Sequence, residues 1–227
     1  MGKTELSLLR KVLFFAGLFC GTSIVGRAQT SISDFAGHVD DHYNHMRTLR
    51  AQFVEEYQGA GVARSEGGTL ILKRPGKMRW EYNSPRPKLF ITDGKTAYFY
   101  VPGEQQVRKQ DAKRLDDLRS PLRYLLGKTK LEKELAGLSF IPAQPAMAAG
   151  NKILQGVPKA MGDQVSDVQL EINPKYEIVR ILIDENDGSK TEFRFSNLEE
   201  NAEAEDHLFD FSPPRGVEIL DGNGFAP

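Results

Sequence analysis

The spacing of apolar residues changes several times along the 227-residue chain, and each change predicts a different element. From Ser33 to about Tyr57 the apolar residues recur at intervals of three and four, which is one stripe of an amphipathic helix. The stripe consists of Phe35, Val39, Tyr43, Met46, Leu49 and Phe53. Ser31 or Ser33 can cap its start. The pattern therefore predicts one long helix that packs against an apolar surface.

Beyond Gly59 the period shortens to two, which is typical of strands with one buried face. The strands are predicted over Gly68–Lys73, Lys77–Tyr82, Lys88–Thr92 and Thr96–Val101. Pro75-Gly76 separates the first two, and Asp93-Gly94 supplies the positive φ that a tight hairpin between the last two requires. This arrangement predicts an antiparallel meander.

A leucine-rich segment from Lys113 to Phe140 interrupts the strands. Its two helical stripes contain Leu115, Leu118, Leu122, Leu125 and Leu126, and then Leu131, Leu135 and Leu138. Ser120-Pro121 has the composition of a helix start and Gly127 that of a helix end. We expect two or three short helices here, inserted into a β protein.

The last third returns to strands. They are predicted near Ile153, over Asp167–Asn173, Ile178–Asp184 and Lys190–Asn197, and finally at Phe209-Asp210-Phe211. Asp187-Gly188 provides another hairpin turn. No internal repeat or linker divides the sequence, so we expect one domain over residues 29–227.

The first residues have the composition of a secretory signal peptide. Three basic residues precede an apolar run from Val12 to Phe19, and Gly26 and Ala28 have the spacing of a cleavage site after Ala28. Cleavage would make residues 1–28 the signal peptide and remove Cys20, the only cysteine. Two alternatives remain open: the segment anchors the protein as a helix, or Cys20 is lipidated.

Charge and motifs argue against several functions. The net charge is -1, from 30 basic and 31 acidic residues, which gives no field for nucleic acid. The sequence lacks the nucleophile elbow, the phosphate-binding loop and the HExxH pair, so we predict neither an enzyme nor a cofactor. His38, His42 and His45 line one side of the first predicted helix, but such rows seldom have the supporting shell of a metal site, and no metal is predicted.

One longer combination of motifs is specific. The segment from Gly68 to Tyr82 contains Lys-Arg-Pro-Gly-Lys-Met-Arg-Trp, Thr92-Asp-Gly-Lys-Thr-Ala-Tyr-Phe-Tyr100 follows it, and Phe-Asp-Phe-Ser-Pro-Pro-Arg-Gly-Val spans Phe209 to Val217. Together with the Ser120–Gly127 helix signal, these motifs resemble the LolA family of periplasmic lipoprotein carriers. The resemblance extends from about Asp34 to Asp221. The chain departs from it at Glu55, where many members have glutamine, and at Tyr98, where they have tryptophan.

This resemblance implies a mainly β fold with an α lid. The expected architecture is an incomplete, unclosed antiparallel β-barrel of about 10–11 strands, covered by short helices and an N-terminal amphipathic helix. The implied function is a periplasmic carrier, a monomer that binds the acyl chains of lipoproteins. Its implied partners are acylated lipoproteins, an inner-membrane ABC-type releasing complex and an outer-membrane lipoprotein acceptor.

The resemblance also suggests site residues. Arg74, followed by Pro75, matches the arginine that holds the lid shut through hydrogen bonds to lid backbone. The acyl-chain cavity is expected to contain Leu70, Leu72, Met78, Trp80, Phe90, Tyr98, Leu122 and Leu125. Strand alternation shows which residues share a face but leaves open which face is inside.

Two other functions stay open at this stage. A relative of the same fold could be the lipid-anchored acceptor or a lipid-sensing protein, and the fate of Cys20 distinguishes these from a carrier. A barrel filled entirely with side chains would instead be a structural periplasmic protein.

Overall fold

Twelve strands in one sheet form the protein's framework. The structure, a computed structural model, describes residues 31–112, 124–125, 130–141 and 146–221. The predicted signal peptide with its cleavage site, Cys20, Leu122 and most of the predicted lid lie outside these residues. The described helices are α1 (Ile32–His45), α2 (Leu131–Glu134) and a one-turn 3-10 helix (Asp206–Phe209).

The strands follow one another with short connections. They are β1 (Thr48–Gly59), β2 (Val62–Lys73), β3 (Lys77–Ser84), β4 (Lys88–Asp93), β5 (Thr96–Tyr100), β6 (Gln106–Asp111), β7 (Leu135–Phe140), β8 (Lys152–Pro158), β9 (Val165–Ile172), β10 (Ile178–Glu185), β11 (Lys190–Glu200) and β12 (Glu218–Asp221). Their order in the sheet is β12-β6-β5-β4-β3-β2-β1-β11-β10-β9-β8-β7. Among the strand pairs that the structure describes, β12–β6 alone is parallel.

The sheet is not closed, because β12 and β7 stand at its two edges. The prediction of a mainly β, incomplete barrel with helical covers is therefore confirmed, with twelve strands instead of 10–11. The first hairpin, β1–β2, uses Ala60 and Gly61 with φ of 49° and 77°, as a two-residue turn between twisted strands requires. None of the helices in the described ranges combines the length and hydropathy that a membrane-spanning helix needs.

The long predicted helix is wrong beyond His45. The Ser31 side chain caps α1 by accepting from the Asp34 N–H, and Met46 then adopts an extended backbone. From Thr48 the burial alternates residue by residue, so Leu49 and Phe53 belong to a strand. Their spacing from Tyr43 and Met46 matched a helix only by coincidence, because residues four apart share a face in both structures.

Two other elements differ from the prediction. Leu131 lies in α2, but Leu135 and Leu138 belong to β7, which pairs with β8 at the sheet edge. Phe209 ends a 3-10 turn instead of forming a strand, and the last strand comes later, at Glu218. The remaining predicted strands are confirmed with their ends shifted by up to three residues, except that β2 begins at Val62, six residues before its predicted start at Gly68.

Candidate functional site

The sheet curves so strongly that distant strands meet across its concave face. Trp80 of β3 and Phe193 of β11 are separated by β2 and β1, which places their strands roughly 14 Å apart in a flat sheet. Their ring centroids are nevertheless 5.8 Å apart. Curvature of this kind brings side chains from both halves of the sheet into one buried cluster.

Paired strands place the interior side chains in rows. One row contains Leu49, Leu72 and Met78, and the next contains Ala51, Leu70, Trp80, Phe90 and Phe99. Further along the strands, Phe53, Gly68, Tyr82 and Lys88 form a third row, and Glu55 and Glu66 a fourth. The concave face therefore changes from apolar at the β2–β3 turn to polar at the opposite end.

An aromatic cluster occupies the middle of this face. The Phe53 ring centroid lies 4.7 Å from that of Trp80 and 4.9 Å from that of Tyr82, and Phe195 lies 6.4 Å from Trp80. All four side chains are buried. Gly68 lets the β3 backbone approach β2 closely at the register shift beside this cluster, because a Cβ there would lie 1.8 Å from the Glu81 carbonyl oxygen.

Buried acidic groups mark the polar end. The Tyr82 hydroxyl donates to Glu55 Oε2 at 2.6 Å, and the Lys88 ammonium donates to Glu66 Oε2 at 2.6 Å. The Arg64 guanidinium lies 3.9 Å from Glu55 Oε1 and 3.5 Å from Glu66 Oε2. Burial raises the pKa of Glu55, and the hydrogen bond from Tyr82 opposes that rise only in part.

Helix α1 covers part of the concave face. Its buried residues Phe35, Val39 and Tyr43 belong to the same apolar cluster as the strand residues. The Tyr43 hydroxyl accepts the backbone N–H of Ile178 at 2.8 Å, which fixes the helix to the start of β10. Burial raises the pKa of Tyr43, so the hydroxyl stays neutral.

Arg74 fastens the same, C-terminal end of α1 to the β2–β3 turn. Its guanidinium donates from Nη1 to the Asn44 carbonyl at 2.6 Å and from Nη2 to the Tyr43 carbonyl. These carbonyls belong to the last turn of the helix, where unpaired acceptors and the negative end of the helix dipole favour a cation. Pro75 follows directly, in the β2–β3 turn.

The structure brings most of the predicted cavity residues together. Leu70, Leu72, Trp80 and Leu125 are buried in the central cluster, and Met78 and Phe90 pack against it. The structure thereby shows that the strand face carrying these residues is the inner one, which strand alternation alone could not decide.

Tyr98 lies elsewhere. It pairs with Ile91, opposite in parity to Phe90 and Phe99, and its ring contacts Phe211 on the convex face at 5.2 Å. Because all of Ala97 to Tyr100 is apolar or aromatic, the sequence could not assign this strand's faces. Leu122 lies outside the described residues.

Sequence analysis missed several interior residues. Phe53 and Glu55 were assigned to the helix, although the alternation from Leu49 to Glu55 was available as a signal. Phe193 and Phe195 also lie in the core, and nothing in the sequence indicated their contact with Trp80.

The histidines of α1 have local partners. His42 Nε2 lies 2.6 Å from Glu200 Oε1, and His45 donates to the Asp41 carbonyl at 2.7 Å. The His38 ring lies against Tyr176. In the part of the chain that the structure describes, no three His, Cys, Asp or Glu side chains are grouped to hold a metal ion.

A comparison with protein families identifies this architecture. The sequence model described as "Outer membrane lipoprotein carrier protein LolA" matches residues 44–212, which include β1 to β11 and the aromatic cluster. The chain belongs to the LolA family.

Relatives of this LolA-family chain align over most of its length. A protein named outer-membrane lipoprotein carrier protein from Dechloromonas aromatica is 30% identical over 190 residues, covering 82% of this chain and 88% of the relative. One of the same name from Nitrosospira multiformis is 29% identical over 189 residues, with coverage of 81% and 87%.

Solved structures share the fold at low identity. An uncharacterized conserved protein from Thermus thermophilus matches with a TM-score of 0.54 and 10% identity, covering 83% of this chain and 98% of that one. The Mycobacterium tuberculosis lipoprotein LppX matches with a TM-score of 0.52 and 12% identity, with coverage of 77% and 98%. The LolA-family chain thus has a sheet architecture that also occurs in distant proteins.

Proposed function

We propose that this protein is a non-catalytic periplasmic carrier that binds the acyl chains of lipoproteins against its concave face. The observation that carries the proposal is the apolar half of that face, formed by Leu49, Leu70, Leu72, Met78 and Trp80 beneath α1. The names of the relatives aligned over most of the chain support the same activity.

The residues of the acyl site are Leu70, Leu72, Met78, Trp80, Phe90 and Leu125. Each methylene removed from water contributes about 0.8 kcal/mol, so a dozen methylenes contribute roughly 10 kcal/mol. A carrier must also release its cargo, so some cost has to offset this gain. Separating α1 from Arg74 supplies such a cost, because the helix-end carbonyls lose a charged donor.

The rest of the cycle follows from the need for a donor and an acceptor of cargo. We place the protein between an inner-membrane ABC-type complex that releases lipoproteins and an outer-membrane acceptor. Export would use residues 1–28 as a signal peptide, leaving residues 29–227 as the working domain.

The test is transfer of a purified diacylated lipoprotein. The exported protein is mixed with the lipoprotein in detergent below its critical micelle concentration, and soluble complex is separated by size exclusion. The matched control is the same lipoprotein with its acylated cysteine replaced by serine. Complex formation with the acylated form alone is expected, and failure to bind either form would overturn the proposal.

A second measurement separates the carrier from its fold relatives. Protein isolated from envelope extract is analysed by lipid mass spectrometry and by labelling with palmitate. A carrier yields cargo lipid without a covalent label. A label on Cys20 would identify a lipid-anchored acceptor, and absence of any lipid would favour a filled structural barrel.

A further inference from the structure

The Trp80 indole N–H is a buried donor that meets no acceptor in hydrogen-bond geometry among the residues that the structure describes. The side chain is 3% exposed. Burial raises the pKa of Tyr82, and the neighbouring Trp80 N–H acts in the opposite direction, although the two groups do not meet the geometry of a hydrogen bond. Buried donors are nearly always paired in native proteins, so an unpaired one needs an explanation.

Trp80 stands at the boundary between the two halves of the concave face. Its own row contains Leu70, the row of Leu72 lies on one side, and Tyr82 and Glu55 lie on the other. An amphiphile lowers its free energy by placing its chains against the apolar rows and its polar group towards the acidic end, because each unpaired buried polar group is costly.

We propose that the Trp80 N–H binds a carbonyl oxygen at the head of an acyl chain, and that the polar rows beyond it fix the direction in which the lipid enters. This inference rests on the proposed function and adds to it a polar subsite and an orientation. The tails extend towards Leu72 and Met78, and the ester or amide linkage lies at Trp80. The lipid's polar group faces Glu55, Glu66 and Lys88.

A carbonyl is the group that fits this place best. A carbonyl oxygen accepts hydrogen bonds and donates none, which suits the indole N–H. The Tyr82 hydroxyl already donates its proton to Glu55, so Trp80 is the donor available to the carbonyl at this place. A carbonyl is also the first polar group met along any esterified fatty chain. A simple hydrocarbon would leave the indole unpaired.

The test compares two probes that differ only in this group. Dioctanoylglycerol carries ester carbonyls, and its dialkyl ether analogue has the same chain length without them. Trp80→Phe keeps an aromatic ring but removes the N–H. The smaller ring weakens binding of both probes, and loss of the N–H should weaken ester binding about two- to tenfold more than ether binding. Phe53→Leu is the matched control, and it should weaken both probes equally.

A second measurement uses the unaltered protein, so its result does not depend on whether the variants fold. Trp80 is the only tryptophan, so a protein labelled with ¹⁵N-tryptophan gives one indole N–H resonance. The ester should shift its proton downfield, and the ether should not. If both probes bind but shift the resonance equally and respond equally to Trp80→Phe, the subsite is overturned while the carrier function stands. If neither probe binds, the carrier function itself fails.

Discussion

Arg74 and Asn44 lie thirty positions apart in the chain, yet the arginine Nη1 is 2.6 Å from the asparagine carbonyl oxygen. This contact, with its companion to Tyr43, joins the β2–β3 turn to the end of the helix that covers the interior. Most of the predicted lid is outside the described residues, so the lid-closing role of Arg74 and Pro75 is a proposal that rests on the contacts of Arg74 with α1.

Arg74→Leu should leave the fold intact and slow the transfer of cargo. In the carrier cycle that we propose, bound cargo displaces α1 and breaks the hydrogen bonds from Arg74, and their recovery favours release. The leucine variant cannot re-form these hydrogen bonds when cargo leaves. Cargo is therefore held more tightly and passes to an acceptor about tenfold more slowly. The free energy of unfolding should fall by about 1.5–3 kcal/mol.

Transfer rate and urea denaturation measure the two effects of this substitution. Arg86→Leu, at an exposed turn, is the control and should leave both quantities unchanged. Equal transfer rates for the two variants would contradict the role of Arg74.

Glu55→Gln should change how stability depends on pH. Burial raises the pKa of Glu55 above its ordinary value of 4.5, despite the nearby cations Arg64 and Lys88, with Tyr82 and Glu66 facing the same space. The folded state therefore binds the proton more tightly than the unfolded state, and that contribution to stability is lost as pH rises from 4.5 through the raised pKa.

Glutamine does not titrate, so the variant does not lose this contribution as pH rises. Its free energy of unfolding relative to the unaltered protein should therefore increase between pH 4.5 and neutrality. Chemical denaturation at several pH values provides the measurement. Glu104→Gln, at an exposed position, should show no such trend. Parallel stability curves for Glu55→Gln and the unaltered protein would refute the assignment.

Tyr43→Phe should destabilise the protein although it removes a single oxygen. The Ile178 N–H is buried and donates to that hydroxyl, so the variant leaves a backbone donor unpaired, at a cost of about 1–3 kcal/mol. Hydrogen exchange at Ile178 should become faster. Tyr98→Phe, which alters a half-buried ring on the convex face, is expected to cost less, and an equal loss in both variants would argue against the bond.

Phe209→Ala should loosen the C-terminal segment from the convex face. The ring is 1% exposed, and truncating a buried phenylalanine typically costs about 3–5 kcal/mol. Phe211→Ala, at a half-buried ring against Tyr98, should cost less. Thermal denaturation of both variants gives the comparison. A reversed order would mean that Phe211 is the main attachment of the segment.

The sequence predicted the local parts of this fold well. Asp93-Gly94 and Asp187-Gly188 carry their own turn preferences, and alternation in Lys77–Tyr82 depends only on nearest neighbours along a strand. For the same reason Met78, Trp80 and Tyr82 could be assigned to one face before any partner was known. The motif from Lys73 to Trp80 led to the family, and through it to the open barrel.

Tertiary structure decided what depends on partners distant in the chain. Leu49 and Phe53 satisfy a helical and a strand pattern equally, and only pairing with β2 and β11 made them strand residues. Tyr98 faces outward because the β4–β5 register places it beside Ile91 and Phe211 covers it. Contact between Trp80 and Phe193 arises from curvature summed over several strands, and no local sequence pattern encodes that sum.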